Sequence, residues 1–298
     1  MSVIKVQHLV KDYGLGRGVF DISFEVPKGK IFGFVGTNGA GKTTTIRNIM
    51  GFIKPDSGNT YINGLDSWLK SSQIKNYVGY VPGEIAFPDL RTGKEFLTLQ
   101  AKMLGLKNTD YANFLIKELQ LNVMSRLKTM SKGTKQKTAI VNALMADREI
   151  LILDEPTTGL DPLMRSVFVD ILKEENSRGK TIFISSHIFE ELEPICDYVA
   201  LIKDGKIVDI ANMDDIRNHG VRTFKIAFNV KLDFEKFQKS LFNVKDIKPK
   251  YHQLLVDIDI NDINLLFQTL NAYDVKFIAE VKYNLEQYFD SVFKGEAK

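Results

Sequence analysis

Hydrophobic positions along the chain fall into short runs that alternate with longer helical patterns. Period-two alternation and short apolar runs bounded by glycine or proline indicate strands. The strand-like runs are IKVQHLV, FDISFEV, IFGFV, NTYIN, YVGYV, EILILD, KTIFISS and DYVALI. Helical spacing covers residues 41–52, 92–121, 134–147, 162–177 and 188–195. Strands that alternate with helices predict an α/β domain with a largely parallel sheet.

The C-terminal quarter has a different order of patterns. Strand-like and helical runs alternate there as TFKIAFNV, DFEKFQKSLF, LLVDIDI, DINLLFQTL, VKFIAEV and NLEQYFDSVF, with VKDI as a candidate extra strand. This order favours a small α+β unit of the ferredoxin-like kind. We therefore predict an α/β domain over residues 1–221 and a small α+β domain over residues 222–298.

Charge and composition argue against several classes of protein but do not indicate a function. Forty Lys and Arg face thirty-seven Asp and Glu, a net charge of +3, and no long block of one sign indicates a nucleic-acid partner. The N-terminus is too polar for a signal peptide, and no apolar run approaches the ~20 residues that span a bilayer. A single cysteine, Cys196, fits a reducing compartment. We expect a cytoplasmic chain that acts at a membrane only through another subunit.

The stretch GTNGAGKTT, residues 36–44, follows an apolar strand and opens a helix, the context that makes GxxxxGK[ST] specific for phosphate binding. Its glycines let backbone N–H groups point at phosphate oxygens near a helix N-terminus. Lys42 would reach the outer phosphates, and the Thr43 hydroxyl would hold Mg²⁺. The residues predicted to bind nucleotide are Gly36, Asn38, Gly39, Gly41, Lys42, Thr43 and Thr44.

Two acids and a histidine follow buried strands further along the chain. In ILILDEP, Asp154 suits Mg²⁺, directly or through water, and Glu155 could polarise an attacking water. His187 ends the apolar strand TIFISSH. Alone it would be read as a structural histidine, but beside a phosphate-binding loop it is a candidate contact to the terminal phosphate.

In their order, these motifs resemble the ATP-binding cassette (ABC) ATPases, the ATP-hydrolysing subunits of ABC transporters. The resemblance covers roughly residues 1–221 and adds Tyr13 in KDYG, where the family stacks an aromatic ring on adenine, and TTGLD, which ends at Asp161. It implies a P-loop nucleotide-binding domain with a helical subdomain near residues 84–130. It also implies ATP and Mg²⁺ as cofactors and Asp161 as part of the nucleotide site.

The stretch MSKGTKQK, residues 130–137, resembles the family signature LSGGQ. Ser131 and Gly133 keep the serine and the second glycine, whereas Lys132 and Thr134 replace the first glycine and the glutamine. In the family this segment binds the γ-phosphate of ATP held by the other subunit. The resemblance therefore implies a dimer around two ATP molecules, formed with an identical chain or with a second ATPase subunit.

One position departs from the family pattern. The family places a glutamine that touches Mg²⁺ and the reacting water after the strand YVGYV, but this chain has Gly83, followed by Glu84. Either Glu84 replaces the glutamine as a metal contact, or the link from the site to the membrane subunit is weakened.

The stretches TTTIRNIMGFIKPDSGN, SKG and NLEQYFDSVF resemble the bacterial exporter ATPases of the bacitracin-resistance and sodium-export type. That group pairs a separate ATPase with a separate transmembrane permease, which implies a position at the inner face of the cell membrane. A soluble ABC ATPase outside transport and an ATP-gated regulatory subunit remain the alternatives. For the C-terminal domain, a packing role, a regulatory role, ligand sensing and a longer subunit interface all remain open.

Overall fold

The computed structural model describes residues 1–217, 220–281 and 284–294. The chain divides into two compact units, Met1–Met213 and Asp214–Lys298. The sequence pattern places the division slightly later, between residues 221 and 222. Residues 282–283 and 295–298 of the predicted C-terminal domain lie outside the described residues.

The first unit contains two sheets. Its strands are β1 (Ser2–Asp12), β2 (Gly18–Pro27), β3 (Ile31–Val35), β4 (Ser57–Ile62), β5 (Leu65–Asp66), β6 (Val78–Val81), β7 (Ile150–Asp154), β8 (Thr181–Ser186), β9 (Tyr198–Lys203) and β10 (Lys206–Asn212). One sheet is antiparallel in the order β2-β1-β4-β5. The other has the order β10-β9-β3-β8-β7-β6 and is parallel except for its edge strand β10. The predicted, largely parallel sheet is confirmed.

Eight helices belong wholly or partly to this unit: α1 (Lys42–Ile49), α2 (Ser71–Ile74), α3 (Gly93–Met103), α4 (Asp110–Glu118), α5 (Lys132–Leu144), α6 (Pro162–Ser177), α7 (Phe189–Leu192) and α8 (Met213–Arg217). The single helix predicted over 92–121 is two helices. Gly105, with φ of 66°, ends α3, and Gly105 and Leu106 return hydrogen bonds to the carbonyls of Lys102 and Ala101, the pattern of a Schellman motif. No helix in the described part of the chain is long and apolar enough to cross a bilayer.

Aromatic packing joins the two sheets of the first unit. Phe24 of β2 stacks on Phe32 of β3 and on Phe183 of β8, with ring centroids 5.3 and 5.6 Å apart. Burying each such side chain contributes roughly 1.5–3 kcal/mol. Every residue of β3, β7 and β8 is buried. Because parallel strands end at the same edge of a sheet, this packing fixes the carboxyl ends of these strands side by side.

The second unit is a separate α+β fold. It contains β11 (Val221–Phe228), α9 (Lys231–Phe237), β12 (Asn243–Lys248), β13 (Gln253–Asp259), α10 (Ile263–Leu270), β14 (Val275–Val281) and α11 (Leu285–Lys294). Its sheet is antiparallel in the order β12-β13-β11-β14. The element order through β14, βαββαβ, is that of ferredoxin-like units, and the candidate strand VKDI lies in β12. Buried side chains such as Phe228, Phe237 and Leu266 form its own core.

Candidate active site

The loop between β3 and α1 carries most of the predicted nucleotide-binding residues. Gly41 is the N-cap of α1, and no side chain caps this end of the helix within the described residues. Gly41 has φ of 111°, and a Cβ there would lie 2.7 Å from Val19 Cγ1, so only glycine fits. The first N–H groups of a helix have no partner within it, and their combined dipole favours anions. The loop therefore presents an anion-binding helix end beside buried strands.

The ammonium of Lys42 lies at the centre of this loop. The side chain is 6% exposed and donates to the carbonyl oxygens of Gly36 at 2.5 Å and Thr37 at 3.1 Å. Its Nζ also lies 3.1 Å from Oε1 of Glu155. A buried positive charge requires such partners, because an unpaired charge is costly to remove from water. Its three contacts here are all with oxygen atoms.

Asp154 ends β7 and is fully buried. One carboxylate oxygen, Oδ1, accepts a hydrogen bond from Ser185 Oγ at 2.7 Å. The other, Oδ2, is buried and has no hydrogen-bond partner in the described part of the chain. Burial raises the pKa of Asp154, and the hydrogen bond from Ser185 and the nearby Thr43 hydroxyl only partly offset that effect. The structure therefore keeps a carboxylate in an environment that disfavours its charge.

The surroundings of Asp154 fit a magnesium ion. Mg²⁺ prefers carboxylate and hydroxyl oxygens and keeps several waters, so it does not require a cluster of acidic residues. No cluster of three or more His, Cys, Asp or Glu residues is placed to hold a metal in the described ranges. A Cβ at Gly83 would lie 3.0 Å from Asp154 Oδ2, so glycine leaves room beside the unpartnered oxygen. Thr43 and Asp154 are the protein groups suited to the ion. The side chain of Glu84 is exposed.

Glu155 follows Asp154 in a conformation that is unusual for a residue with a side chain, with φ of 49°. Its N–H donates to both the hydroxyl oxygen of Ser185, at 3.0 Å, and the Ser185 carbonyl oxygen, at 3.2 Å. Its Oε2 lies 2.6 Å from Nδ1 of His187. This carboxylate, 16% exposed, is thus held between the ammonium of Lys42 and an imidazole that is 42% exposed. A carboxylate so placed can orient water and accept its proton.

The structure thus brings together five of the predicted residues. They are Lys42, Thr43, Asp154, Glu155 and His187. The predicted signature residues have other contacts. Ser131 is the N-cap of α5, and its Oγ accepts from the N–H of Thr134 at 3.2 Å. The helix begins at Lys132, two residues earlier than predicted.

The signature packs against the loop of residues 157–161. A Cβ at Gly133 would lie 2.6 Å from the carbonyl oxygen of Gly159, which excludes a larger residue there. Asp161 ends this loop and is the N-cap of α6, where its carboxylate accepts from the N–H of Met164 at 3.0 Å. Ser131 and Asp161 are both exposed. They can therefore contact a second molecule.

Tyr13 lies in the turn that follows β1 and is 54% exposed. Its N–H donates to the Arg17 carbonyl at 2.8 Å, and the Lys11 ammonium lies 5.8 Å from its ring centroid. The end of this turn meets the nucleotide loop, because a Cβ at Gly41 would lie 3.2 Å from the Gly18 oxygen. An exposed aromatic ring therefore stands close in sequence to the segment that adjoins the loop.

Sequence reasoning missed several side chains around the site. Ser185 bonds both Asp154 and Glu155, and two serines at the end of an apolar strand were the available signal. Thr157, Arg165 and Glu191 form a further polar network. Arg165 and Glu191 lie on helices. Their charges gave no signal, because charged positions on helices usually face solvent.

Comparison with known proteins gives consistent matches. Residues 19–158 match the family described as ABC transporter. The chain is 35% identical over 301 residues to the bacitracin transport ATP-binding protein BcrA of Bacillus licheniformis, covering 93% of this chain and 97% of that one.

Two solved structures share the fold. A structure of the ATP-binding subunit of an ABC transporter matches with a TM-score of 0.66 and 31% identity, over 72% of this chain and 92% of that chain. A dimeric ATP-binding cassette in a post-hydrolysis state with ADP and Pi matches with a TM-score of 0.63 over 70% of this chain and 98% of that chain. At 21% identity, the second likeness concerns the fold alone.

Proposed function

The chain belongs to the ATP-binding subunits of ABC transporters, and we propose that it hydrolyses ATP to drive export through a separate membrane permease. The observation that carries the proposal is the carboxylate of Glu155. It lies between Lys42 and His187 and follows Asp154, whose Oδ2 has no hydrogen-bond partner in the described part of the chain. That combination offers a cation for phosphate, a ligand for Mg²⁺ and a group for the reacting water.

Nucleotide binding follows from the loop and its surroundings. The phosphates lie over residues 36–44, where the N–H groups of α1 and the Lys42 ammonium meet negative charge. Lys42 exchanges some of its present oxygen contacts for phosphate oxygens. Tyr13 stacks on the adenine ring. Thr43 and Asp154 would hold Mg²⁺, and the ion would supply positive charge next to the phosphates.

Hydrolysis requires a water aligned with the terminal phosphate. Glu155 orients this water for in-line attack, so that a new oxygen–phosphorus bond forms as the bond to the bridging oxygen of ADP breaks. Glu155 accepts a hydrogen bond from the water, ADP departs as the leaving group, and the proton that the water loses passes to the inorganic phosphate that forms. His187, 2.6 Å from Glu155, holds that carboxylate and contacts the terminal phosphate.

The signature supplies the other half of a site to a second chain. Ser131, at the N-terminus of a 13-residue helix, and Gly133 bind the γ-phosphate that the partner holds. The exposure of Ser131 and Asp161 supports this arrangement. The partner is an identical chain or a second ATPase subunit. Lys132 and Thr134 are the signature positions where two unlike subunits would differ.

The permease contact is proposed for the helical subdomain, residues 84–130. A groove of about 490 Å³ there is lined by Ile85, Phe87, Pro88 and Leu127, with Asp89, Lys128 and Lys135 at its polar side, where Lys128 pairs with Asp89 at 2.9 Å. An apolar groove with a polar side of mixed charge suits a short amphipathic helix of a membrane subunit. This contact would place the chain at the inner face of the membrane. The name of the bacitracin transport relative supports the transport role.

The first test is the solution mass of Glu155→Gln, measured by light scattering with and without Mg·ATP. We expect no hydrolysis and an ATP-dependent doubling of mass, because ATP stays bound between two chains. Ser131→Ala in the same background is the matched control and should reduce the doubling. A Glu155→Gln protein that keeps most of its ATPase activity would contradict the role of Glu155.

The same variant addresses the partners. A Glu155→Gln monomer that binds ATP would indicate that the second ATPase subunit is a different chain. Purification with the membrane fraction then addresses transport. Stimulation of the wild-type ATPase by a co-purified membrane protein supports the exporter, whereas activity that no membrane protein changes favours an ABC ATPase outside transport.

A further inference from the structure

A further, largely buried carboxylate lies on the short helix α7. Glu191 has a side chain that is 10% exposed. Its Oε2 accepts from Thr157 Oγ1 at 2.5 Å and from Ser186 Oγ at 3.3 Å. Its Oε1 lies 3.1 Å from Nη1 of Arg165. One carboxylate thus contacts side chains from three separate segments of the chain.

Each of these segments leads directly to a residue of the site. Thr157 begins the loop of residues 157–161. This loop is tied to Glu155 by a hydrogen bond of 3.2 Å from the Thr158 N–H to the Glu155 carbonyl oxygen. Ser186 immediately precedes His187, and its Oγ also accepts from the N–H of Ile188 at 2.9 Å. The network therefore spans the segment after Glu155 and the turn that contains His187.

Arg165 completes this connection from α6. Its Nε donates to the carbonyl oxygen of Leu160 at 3.1 Å, next to Asp161, while its Nη1 pairs with Glu191. The guanidinium thereby holds the far end of the loop as Thr157 holds its beginning. A planar fork with several donors can bridge a carbonyl and a carboxylate in this way, which a lysine cannot do with one point charge.

We propose that Glu191 and Arg165 are positioning residues for ATP hydrolysis, an inference that rests on the proposed roles of Glu155 and His187. They fix the spacing between the loop of residues 157–161 and the turn that contains His187. The 2.6 Å contact between His187 and Glu155 depends on that spacing. In the described part of the chain, neither residue makes a hydrogen bond or ion pair with residues 36–44, so the pair acts on the alignment of the reacting water rather than on ATP binding.

The physical basis is the sensitivity of catalysis to small displacements. A shift of about 1 Å in a reacting group reduces rates by about 100-fold. Replacing the Glu191 carboxylate by an amide substitutes a neutral group that is both donor and acceptor. Such a group pairs more weakly with Arg165 and with two hydroxyl donors. Arg165 is 37% exposed and can be solvated, so the loop can shift without unfolding the chain.

The test compares Glu191→Gln with Glu190→Gln, an exposed neighbour on the same helix. We expect Glu191→Gln to lower kcat about 10-fold with KM for ATP changed less than twofold, because the Lys42 loop is untouched. Glu190→Gln should match wild type. An unchanged kcat for Glu191→Gln would overturn the proposal. So would a parallel loss of kcat, ATP affinity and thermal midpoint, since that result would indicate only a role in folding.

Arg165 variants test whether the two residues act as a unit. The double variant Arg165→Ala/Glu191→Gln should lose no more kcat than the single variant with the larger loss. If the two single losses multiply in the double variant, that result would contradict a shared mechanism. Arg165→Lys should restore part of the kcat lost in Arg165→Ala. Failure of this inference differs from failure of the proposed function. In the first case wild type hydrolyses ATP, Glu155→Gln does not, and Glu191→Gln behaves as wild type; in the second, Glu155→Gln still hydrolyses ATP.

Discussion

Asp154 and Glu175 are two fully buried carboxylates of the same unit with different surroundings. Glu175 lies on α6, where Oε1 accepts from Tyr111 Oη at 2.6 Å and from Arg178 Nη1 at 2.8 Å, and Oε2 pairs with Lys180. Asp154 has Ser185 on one oxygen and no partner on the other in the described chain. Both are charged groups removed from water, but only one is fully compensated.

The difference separates a structural from a functional carboxylate. A buried charge is tolerated when it is paired and hydrogen-bonded, and Glu175 meets that condition while joining α4 to α6. The Lys180 ammonium extends the network to Asp147, 2.6 Å away. Asp154 keeps an uncompensated oxygen where a ligand can bind. Proteins accept such local instability at active sites, because the same group must recognise something outside the chain.

Removing the Glu175 carboxylate should cause the largest loss of folding stability. Glu175→Ala leaves Lys180 and Arg178 without their central partner, and removing one member of a buried ion network costs about 3–5 kcal/mol. We expect urea unfolding of the nucleotide-free protein to show a loss of this size. A loss below about 1 kcal/mol would mean that the network does not support the fold.

Asp154→Asn should lower ATPase activity and raise stability, whereas Glu175→Ala should lower stability. Hydrolysis is expected to fall about 100-fold or more, because Mg²⁺ loses its carboxylate ligand. Stability should rise, since burial raises the pKa of Asp154 and thus disfavours its ionised form. A variant with full ATPase activity, or one that unfolds more readily than wild type at neutral pH, would contradict this contrast.

The stability difference between Asp154→Asn and wild type should also depend on pH. A raised pKa stabilises the folded chain most fully below the pKa of unfolded aspartate, about 3.9, and this contribution is lost as pH rises through the higher folded pKa. The asparagine stays neutral throughout. Its advantage in urea midpoint should therefore be largest near pH 8 and shrink as pH falls toward the unfolded pKa of about 3.9. An advantage that grows on acidification would reverse the predicted sign.

Tyr111→Phe should cause the smallest of these stability losses and tests one hydrogen bond to Glu175. It removes only the hydroxyl that donates to Glu175, and hydrogen bonds to charged groups contribute about 1.5–3 kcal/mol. Tyr77→Phe, in the same unit but 37% exposed, is the matched control and should change little. Equal effects of the two variants would show that the buried hydroxyl contributes nothing specific.

The local sequence pattern predicted more of the candidate site than of the side chains that pack around it. The loop at 36–44 and the strand ending in Asp154 are contiguous motifs whose strand and helix context is readable from hydrophobic periodicity. The break of the predicted helix at Gly105 depends on a left-handed glycine, which a single glycine in a helical pattern does not reveal. Glu175 meets Tyr111 across 64 residues, and Glu191 meets Thr157 across 34. Such pairings are set by tertiary packing, so a charged helix position looks solvated in the sequence.

The most direct test of the central claim measures the metal itself. Mn²⁺ can replace Mg²⁺ and reports its own binding through electron paramagnetic resonance, independently of ATPase activity. We predict that wild type with ATP immobilises Mn²⁺, and that Asp154→Asn loses the immobilised signal while still binding ATP. An unchanged Mn²⁺ signal in Asp154→Asn would show that the unpartnered oxygen of Asp154 does not hold the ion and would contradict the account.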